Sequence, residues 1–99
     1  MLHIVNKSPT ERTALASCLA HALPGHAVLL IEDAVYAATR GSAAAAALAA
    51  ARPNVKFYVL APDLAARAMS KALAEGVVPV DYRGFVDLVA EHPRVQSWL

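Results

Sequence analysis

Cys18 is the only cysteine in the sequence, so its thiol is the only one that could act as a nucleophile or carry a persulfide. A reactive cysteine needs thiolate character, which a nearby cation or a helix N-terminus provides. Cys18 instead lies in the middle of a predicted helix, on an apolar stripe with Leu15, Leu19 and Ala22, where a free cysteine packs as a small hydrophobic residue. The residues alone therefore favour a structural thiol. A single cysteine also excludes an intrachain disulfide and a CxxC metal or redox motif.

Three aspartates follow predicted strands: Asp33, Asp63 and Asp81. Open α/β sheets place ligand-binding and catalytic groups at the carboxyl ends of their strands, so these positions suit acid chemistry. Asp33, next to Glu32, is the best placed of them. Aspartate is also a preferred N-cap and favours the positive end of a helix dipole. The pattern therefore favours three helix caps over three catalytic acids.

The four histidines share no spacing typical of metal ligands, such as HxxxH; they are His3, His21, His26 and His92. The first of them falls within a predicted strand and is expected in the core or on a face of the sheet. The first strand-to-helix loop, residues 6–9, has no glycine and lacks the cradle that binds phosphate. The sequence therefore predicts neither a metal site nor a bound cofactor.

The elements that must position these residues alternate between strands and helices. Five apolar segments are predicted as strands: Leu2–Val5, 27–31, 55–60, Val77–Val80 and 94–98. The second is apolar throughout, which is typical of a strand covered on both faces, and Pro79 marks the fourth as an edge strand or a strand start. This order predicts one α/β domain over residues 1–99, a three-layer unit with a mostly parallel five-stranded sheet and helices on both faces.

Each predicted helix begins at a capping residue and ends at a proline or glycine, or just before one. The first helix is predicted over residues 8–23, with Ser8 as N-cap, Pro9 in the first position and Glu11 closing a capping box. Asp33 caps the second (34–39), Gly41-Ser42 precedes and caps the third (43–51), which Arg52-Pro53 ends, and Asp81 caps the fifth (82–91). The fourth (62–69) opens at Pro62-Asp63, and Ser70 can cap a further turn to residue 75.

The composition suggests burial against a partner. Apolar residues make up 58 % of the chain, but 23 of them are alanine, which leaves a modest set of larger side chains for a core. A chain this short buries only roughly 60–70 % of its extended surface. Tyr82 and Trp98 belong to the residue types that are enriched at protein interfaces, although a terminal tryptophan can equally fold back onto its own sheet.

Charge and hydropathy exclude several functions. Nine Lys and Arg against eight Asp and Glu give a net charge of +1, and both signs are scattered along the chain. Without a basic stripe, direct binding to nucleic acid or to a membrane surface is not expected. The alanine-rich run is far shorter than the roughly 20 residues of a membrane span. The first residues do not form a secretory signal, so a cytoplasmic location is expected.

Several segments together resemble the TusB/DsrH family of small sulfur-relay subunits, in order and spacing over nearly the whole chain. They are Met1-Leu2-His3 with Lys7-Ser8-Pro9; Leu29-Leu30-Ile31-Glu32-Asp33 with Tyr36-Ala37-Ala38; Tyr58-Val59-Leu60 with Asp63-Leu64 and Ala66-Arg67; and Val80-Asp81-Tyr82 with Phe85-Val86 and the tail Val95-Gln96-Ser97-Trp98. No single segment is diagnostic, but their succession is specific.

This resemblance implies a DsrE-like fold and an accessory subunit in a heterohexamer of two copies each of three related chains. The sister subunits are TusC/DsrF-like and TusD/DsrE-like. In the TusBCD branch, persulfide sulfur passes from the TusD-like subunit to a TusE-like acceptor for 2-thiouridine formation at the tRNA wobble position. In the DsrEFH branch, sulfur is exchanged with a DsrC-like acceptor during sulfur oxidation. The sequence leaves both pathways open.

The resemblance also bears on Cys18. DsrH proteins carry a cysteine on the first helix, whereas TusB proteins commonly lack one; Ser17-Cys18-Leu19 and Glu11-Arg12 are DsrH-like in this respect. The resemblance thus implies Cys18 as a secondary persulfide site, with the main sulfur-carrying cysteine on a sister subunit. Two alternatives stay open. One is a stand-alone small sulfurtransferase that uses Cys18 as its nucleophile, and the other is a homo-oligomeric binding module.

Overall fold

The computed structural model describes residues 1–9, 13–51 and 54–98. The strands are β1 (Leu2–Val5), β2 (Ala27–Leu30), β3 (Lys56–Leu60), β4 (Val77–Val80) and β5 (Val95–Trp98). The helices are α1 (Ala14–His21), a 3₁₀ helix (Glu32–Ala38), α2 (Ala43–Ala51), α3 (Ala61–Ala66) and α4 (Tyr82–Glu91). The strands form one sheet in the order β4-β3-β2-β1-β5, and every neighbouring pair is parallel. The predicted α/β fold is confirmed.

The direction in which the chain steps through the sheet decides which face each helix covers. From β1 to β4 every strand adds on the same side, and right-handed crossovers place α1, the 3₁₀ helix, α2 and α3 on one face. The connection from β4 to β5 returns across the sheet, so α4 lies on the opposite face. Leu15 and Leu64 accordingly share a buried cluster with Val28, whereas Leu88 of α4 packs with Leu29. The predicted three layers follow from this topology.

The position of each strand in the sheet agrees with its composition. All four residues of β2 are buried, as the continuous apolar run predicts for a strand covered on both faces. β4 contains Pro79 and forms one edge of the sheet, where a missing backbone N–H is tolerated. β5 forms the other edge, next to β1.

The caps of α2 and α4 are confirmed. The Ser42 hydroxyl oxygen accepts a hydrogen bond from the backbone N–H of Ala45 at 3.0 Å. Asp81 Oδ1 accepts one from the backbone N–H of Gly84 at 2.8 Å, and α4 has the predicted bounds. In the part of the chain that the structure describes, no helix is long and apolar enough to cross a membrane.

α1 begins later and ends earlier than predicted. Its N-cap is Thr13 and its last residue is His21, so the prediction of a helix from Ser8 to residue 23 is wrong at both ends. Pro9 lies in a turn, and Glu11 falls outside the described residues. Ser8 is 9 % exposed and precedes the helix instead of capping it, since the N-cap position is five residues later.

The helix predicted over residues 62–69 is shorter, and the further turn predicted from Ser70 is wrong. α3 ends at Ala66, and turns follow as far as β4. The backbone N–H of Arg40 donates to the carbonyl oxygen of Ala72 at 2.7 Å, which ties this segment to the end of the 3₁₀ helix. Such long-range pairing satisfies backbone groups that a helix would otherwise satisfy, and a local cap signal does not encode it.

Candidate functional site

Cys18 lies in the middle of α1 with its side chain against the sheet. Its exposed fraction is 0 %, and it shares a buried cluster with Val5, Val28 and Leu15. Burial raises the pKa of the Cys18 thiol to about 12, because an apolar environment disfavours the thiolate. At pH 7 only about one thiol in 100,000 is then ionised. This environment favours the structural interpretation, and a persulfide on Cys18 stays a prediction.

The acids at the carboxyl ends of β2 and β3 make structural bonds. Asp33 Oδ1 accepts hydrogen bonds from Nε and Nη2 of Arg67 at 3.0 and 2.9 Å. Asp63 Oδ2 accepts one at 2.7 Å from the backbone N–H of Glu32, whose φ of +49° lies in the left-handed region. The predictions that Asp33 and Asp63 cap helices are wrong, since each carboxylate finds a partner in another element. These bonds tie the 3₁₀ helix to α3.

A cleft of about 670 Å³ opens beside this network, near the ends of β1 and β2 where α/β sheets bind ligands. Pro9, Tyr36 and Ser42 contribute to its wall. Of the described residues that line it, the only carboxylate is that of Asp33, which Arg67 already holds. The described part of its lining therefore offers a surface for contact and no further carboxylate.

A second group of side chains joins three distant parts of the chain. Trp98 of β5 donates its indole N–H to Nδ1 of His3 in β1 at 3.0 Å. Nε2 of His3 lies 2.9 Å from Nδ1 of His26. The same Nδ1 of His26 accepts a hydrogen bond from the backbone N–H of Leu23 at 3.1 Å. His3 is 1 % exposed, as expected for a histidine in the core. These contacts form a continuous chain of hydrogen bonds from the edge strand to the turn before β2.

The directions of these bonds fix the protons on both rings. An indole N–H and a backbone N–H can only donate, so Nδ1 of His3 and Nδ1 of His26 must both be acceptors. His3 then carries its proton on Nε2 and donates it to His26. Both imidazoles are therefore neutral when the chain of bonds is complete. Burial, and secondarily the neighbouring His26, lowers the pKa of His3. Burial also comes first among the causes that lower the pKa of His26.

The sequence did not reveal this network, because His3 and Trp98 are neighbours only if β5 pairs with β1. Strand order cannot be read from the pattern of apolar residues, and the histidine spacing gave no hint. The prediction that Trp98 either folds back or faces an interface is resolved in favour of the fold's own sheet. Across the described ranges, no three His, Cys, Asp or Glu side chains come together in a way that could hold a metal ion.

The parallel sheet, its strand order and its layering define a small three-layer α/β protein. Solved structures share this fold over nearly their whole length. The ychN protein of Escherichia coli has a TM-score of 0.78, is 20 % identical, and is matched over 97 % of its chain by 98 % of this one. MTH1491 from Methanobacterium thermoautotrophicum has a TM-score of 0.74 at 19 % identity, over 95 % of that chain and 97 % of this one.

Sequence comparison then gives the family. The family described as "DsrH like protein" matches residues 7–95. Protein TusB of Pectobacterium parmentieri is 37 % identical over 98 residues, which cover 99 % of this chain and 100 % of that protein. Protein TusB of Escherichia coli O1:K1 is 34 % identical over 100 residues, with the same two coverages. The chain belongs to the TusB/DsrH family, and the resemblance seen in its motifs is confirmed.

Proposed function

We propose that this chain is an accessory subunit of a cytoplasmic sulfur-relay complex, assembled with TusC/DsrF-like and TusD/DsrE-like sister chains. In this complex a cysteine of the TusD/DsrE-like chain carries the persulfide and passes sulfur to a TusE/DsrC-like acceptor. The observation that carries the proposal is the state of Cys18. A family member whose only thiol is fully buried, with its pKa raised to about 12, is suited to support a relay rather than to perform its chemistry.

The outer face of α4 supports a role in assembly. Tyr82 and Val86 are 62 % and 63 % exposed, and Val89 is also exposed. Their spacing of four and three residues places them on one stripe of the helix. Apolar stripes of this kind are typical of surfaces that a partner covers. We propose that a sister chain covers this stripe in the complex.

The stand-alone sulfurtransferase is the alternative that this geometry disfavours. Nucleophilic attack needs an accessible thiolate, whereas the Cys18 thiol is buried beneath α1 and protonated at neutral pH. A secondary persulfide on Cys18 would require a conformation that exposes this part of α1. The hypothesis of a homo-oligomeric binding module differs from the proposed subunit in its partners, because such a module would assemble without sister chains.

The test is reconstitution of the complex. The tagged chain is co-expressed with TusC-like and TusD-like chains, purified, loaded with sulfur from a cysteine desulfurase, and analysed by intact-protein mass spectrometry. We expect a stable complex in which the TusD-like chain gains the mass of a sulfur atom and this chain does not. Purification without either sister chain would overturn the proposal. A sulfur adduct on Cys18 in the isolated chain would favour the enzyme instead.

The same complex distinguishes the two pathways. The relatives named TusB support transfer toward tRNA 2-thiouridine, whereas Cys18 is the feature that links the chain to the sulfur-oxidation branch. Offering the loaded complex a TusE-like and a DsrC-like acceptor in competition shows which of them receives the sulfur. The chain itself is expected to add no affinity for tRNA, since its charges are evenly mixed.

A further inference from the structure

The edge strand β5 is held at its end by the hydrogen-bond chain through His3 and His26. Its first three residues are exposed, and Trp98 is the one member of the strand that packs into the main buried cluster. We propose that His3 and His26, here called the latch pair, form an acid-sensitive latch. The latch holds Trp98 and the end of β5 against the sheet only while both imidazoles are neutral.

The donor and acceptor pattern makes the latch sensitive to a single proton. A proton added to Nδ1 of His3 would face the indole N–H of Trp98, which lies 3.0 Å away. A proton added to Nδ1 of His26 would face two donors, Nε2–H of His3 at 2.9 Å and the backbone N–H of Leu23 at 3.1 Å. Either proton turns a hydrogen bond into a donor–donor contact, and a buried polar group without a partner is unfavourable. Both sites therefore act in the same direction.

Among the described residues, the titratable and charged groups that face the latch pair are all basic: His21 of α1, His92 at the end of α4, Arg94 before β5 and the amino group of Met1. The described residues that line the adjoining cleft, of about 500 Å³, include no carboxylate. An imidazolium here would be desolvated and repelled by its neighbours. The cleft nevertheless gives water access to His26, the less buried member of the pair, so protonation can begin there without unfolding.

Release of Trp98 would free the carboxyl end of an edge strand. The last pair of β5 with β1 is Trp98 with Val5, and the indole hydrogen bond to His3 secures it together with the packing of the ring on the buried cluster. When that bond is lost, Trp98 can leave the buried cluster while the rest of the sheet stays in place. Acid thus changes the surface of one edge of the molecule rather than its overall fold.

The test uses the indole N–H of Trp98, which gives one signal because the chain has a single tryptophan. The full chain is labelled with ¹⁵N and followed by NMR from pH 8 to pH 5. We expect the indole signal to shift in one step below pH 6.5. We also expect its protection from hydrogen exchange, corrected for the intrinsic pH dependence, to fall about tenfold or more, because the released state binds the proton more readily than the latched one. The backbone signals of β4 and of residues 57–60 in β3, which neither pair with β5 nor adjoin the latch pair, should keep their positions.

The variant H3Q/H26Q is the matched comparison, because glutamine can accept and donate at the same places but does not titrate. The step should disappear in this variant. It should persist in H92Q, and also in H21Q, which removes the imidazole whose ring centroid lies 5.4 Å from that of Trp98. An indole signal unchanged down to pH 5, or a step that survives in H3Q/H26Q, overturns the proposal.

Should H3Q/H26Q not fold, the wild-type chain still decides the question. The ring nitrogen signals of His3 and His26 can be titrated together with the indole signal of Trp98. Coincident midpoints support the latch. An indole step at a pH where neither ring changes its protonation overturns it.

Discussion

The indole N–H of Trp98 donates to Nδ1 of His3 at 3.0 Å, across 95 positions of the chain. This bond joins the last strand of the sheet to the first and determines which nitrogen of His3 carries the proton. Because His3 is almost fully buried, water cannot readily replace the indole as the donor. The side-chain chemistry at this edge of the sheet therefore depends on a contact between two ends of the sequence.

Trp98→Phe should destabilise the chain by about 1–3 kcal/mol, because it leaves the buried Nδ1 of His3 without a donor. Urea unfolding followed by circular dichroism measures this difference, since the variant has no tryptophan fluorescence. Tyr82→Phe is the control, as it removes a polar group at an exposed position and should change the unfolding free energy by less than about 0.5 kcal/mol. Equal effects of the two substitutions would contradict a structural role for the indole bond.

The free energy of unfolding should fall as the pH drops below about 6.5. The pKa values of His3 and His26 are lowered in the folded chain, so the unfolded chain binds more protons in this range and gains stability relative to the fold. Above the ordinary histidine pKa both states are neutral at these positions, and their contribution to stability is fully present. Urea unfolding at pH 8, 7, 6 and 5 measures the slope. H3Q/H26Q should show a shallower slope, and an unchanged slope would assign the effect to other groups.

Cys18 should react slowly with a thiol reagent such as DTNB in the native chain. Raising the thiol pKa from 9.0 to about 12 reduces the thiolate population about a thousandfold, and burial blocks access as well. The same chain in urea should react at the rate of a free cysteine. Fast reaction of the native chain at neutral pH would show that α1 opens readily, and would support Cys18 as a secondary persulfide site.

Much of the fold could be predicted because its strands have a recognisable sequence pattern. Each is a short apolar segment bounded by polar or helix-breaking residues, and the continuous run of β2 marked a strand buried on both faces. Asp81 and Ser42 also cap helices where a local preference predicts it. These features depend on residues near one another in the chain, which a sequence pattern records directly.

What could not be predicted depends on contacts between distant residues. Asp33 and Asp63 follow predicted strands and suit a helix N-cap, as Asp81 does. Arg67 instead donates to the carboxylate of Asp33, and the backbone N–H of Glu32 donates to that of Asp63. The His3–Trp98 bond likewise requires knowledge that β5 lies beside β1. Propensity gives the elements, whereas the partners of polar side chains emerge only once the strand order is known.

Gly84→Ala should destabilise the chain although alanine is the better helix former. An added Cβ would lie 2.9 Å from Cβ of Val80, an atom that cannot move without shifting β4. The helix gain of roughly 0.5–1 kcal/mol should be outweighed by overpacking of roughly 1–3 kcal/mol. The double variant G84A/V80A removes the contact and should recover part of the loss. Thermal unfolding of the two variants decides this, and a Tm of G84A above the wild-type value would contradict the close approach of α4 to β4.

Val86→Glu should leave the isolated chain intact and weaken its complex with sister chains. Val86 lies at the centre of the exposed stripe of α4, 63 % exposed, so the substitution touches no core contact and should change the unfolding free energy by less than about 0.5 kcal/mol. In a covered interface, the same carboxylate would be buried without a partner, which is strongly unfavourable. Asp87→Asn, which also changes the charge by one on the same helix but outside the apolar stripe, serves as the control. Co-purification with TusC-like and TusD-like chains should be lost for V86E and kept for D87N. Retention of both sister chains by V86E would show that the subunit contacts them through another face, because an unpaired carboxylate is not tolerated in the centre of an apolar contact.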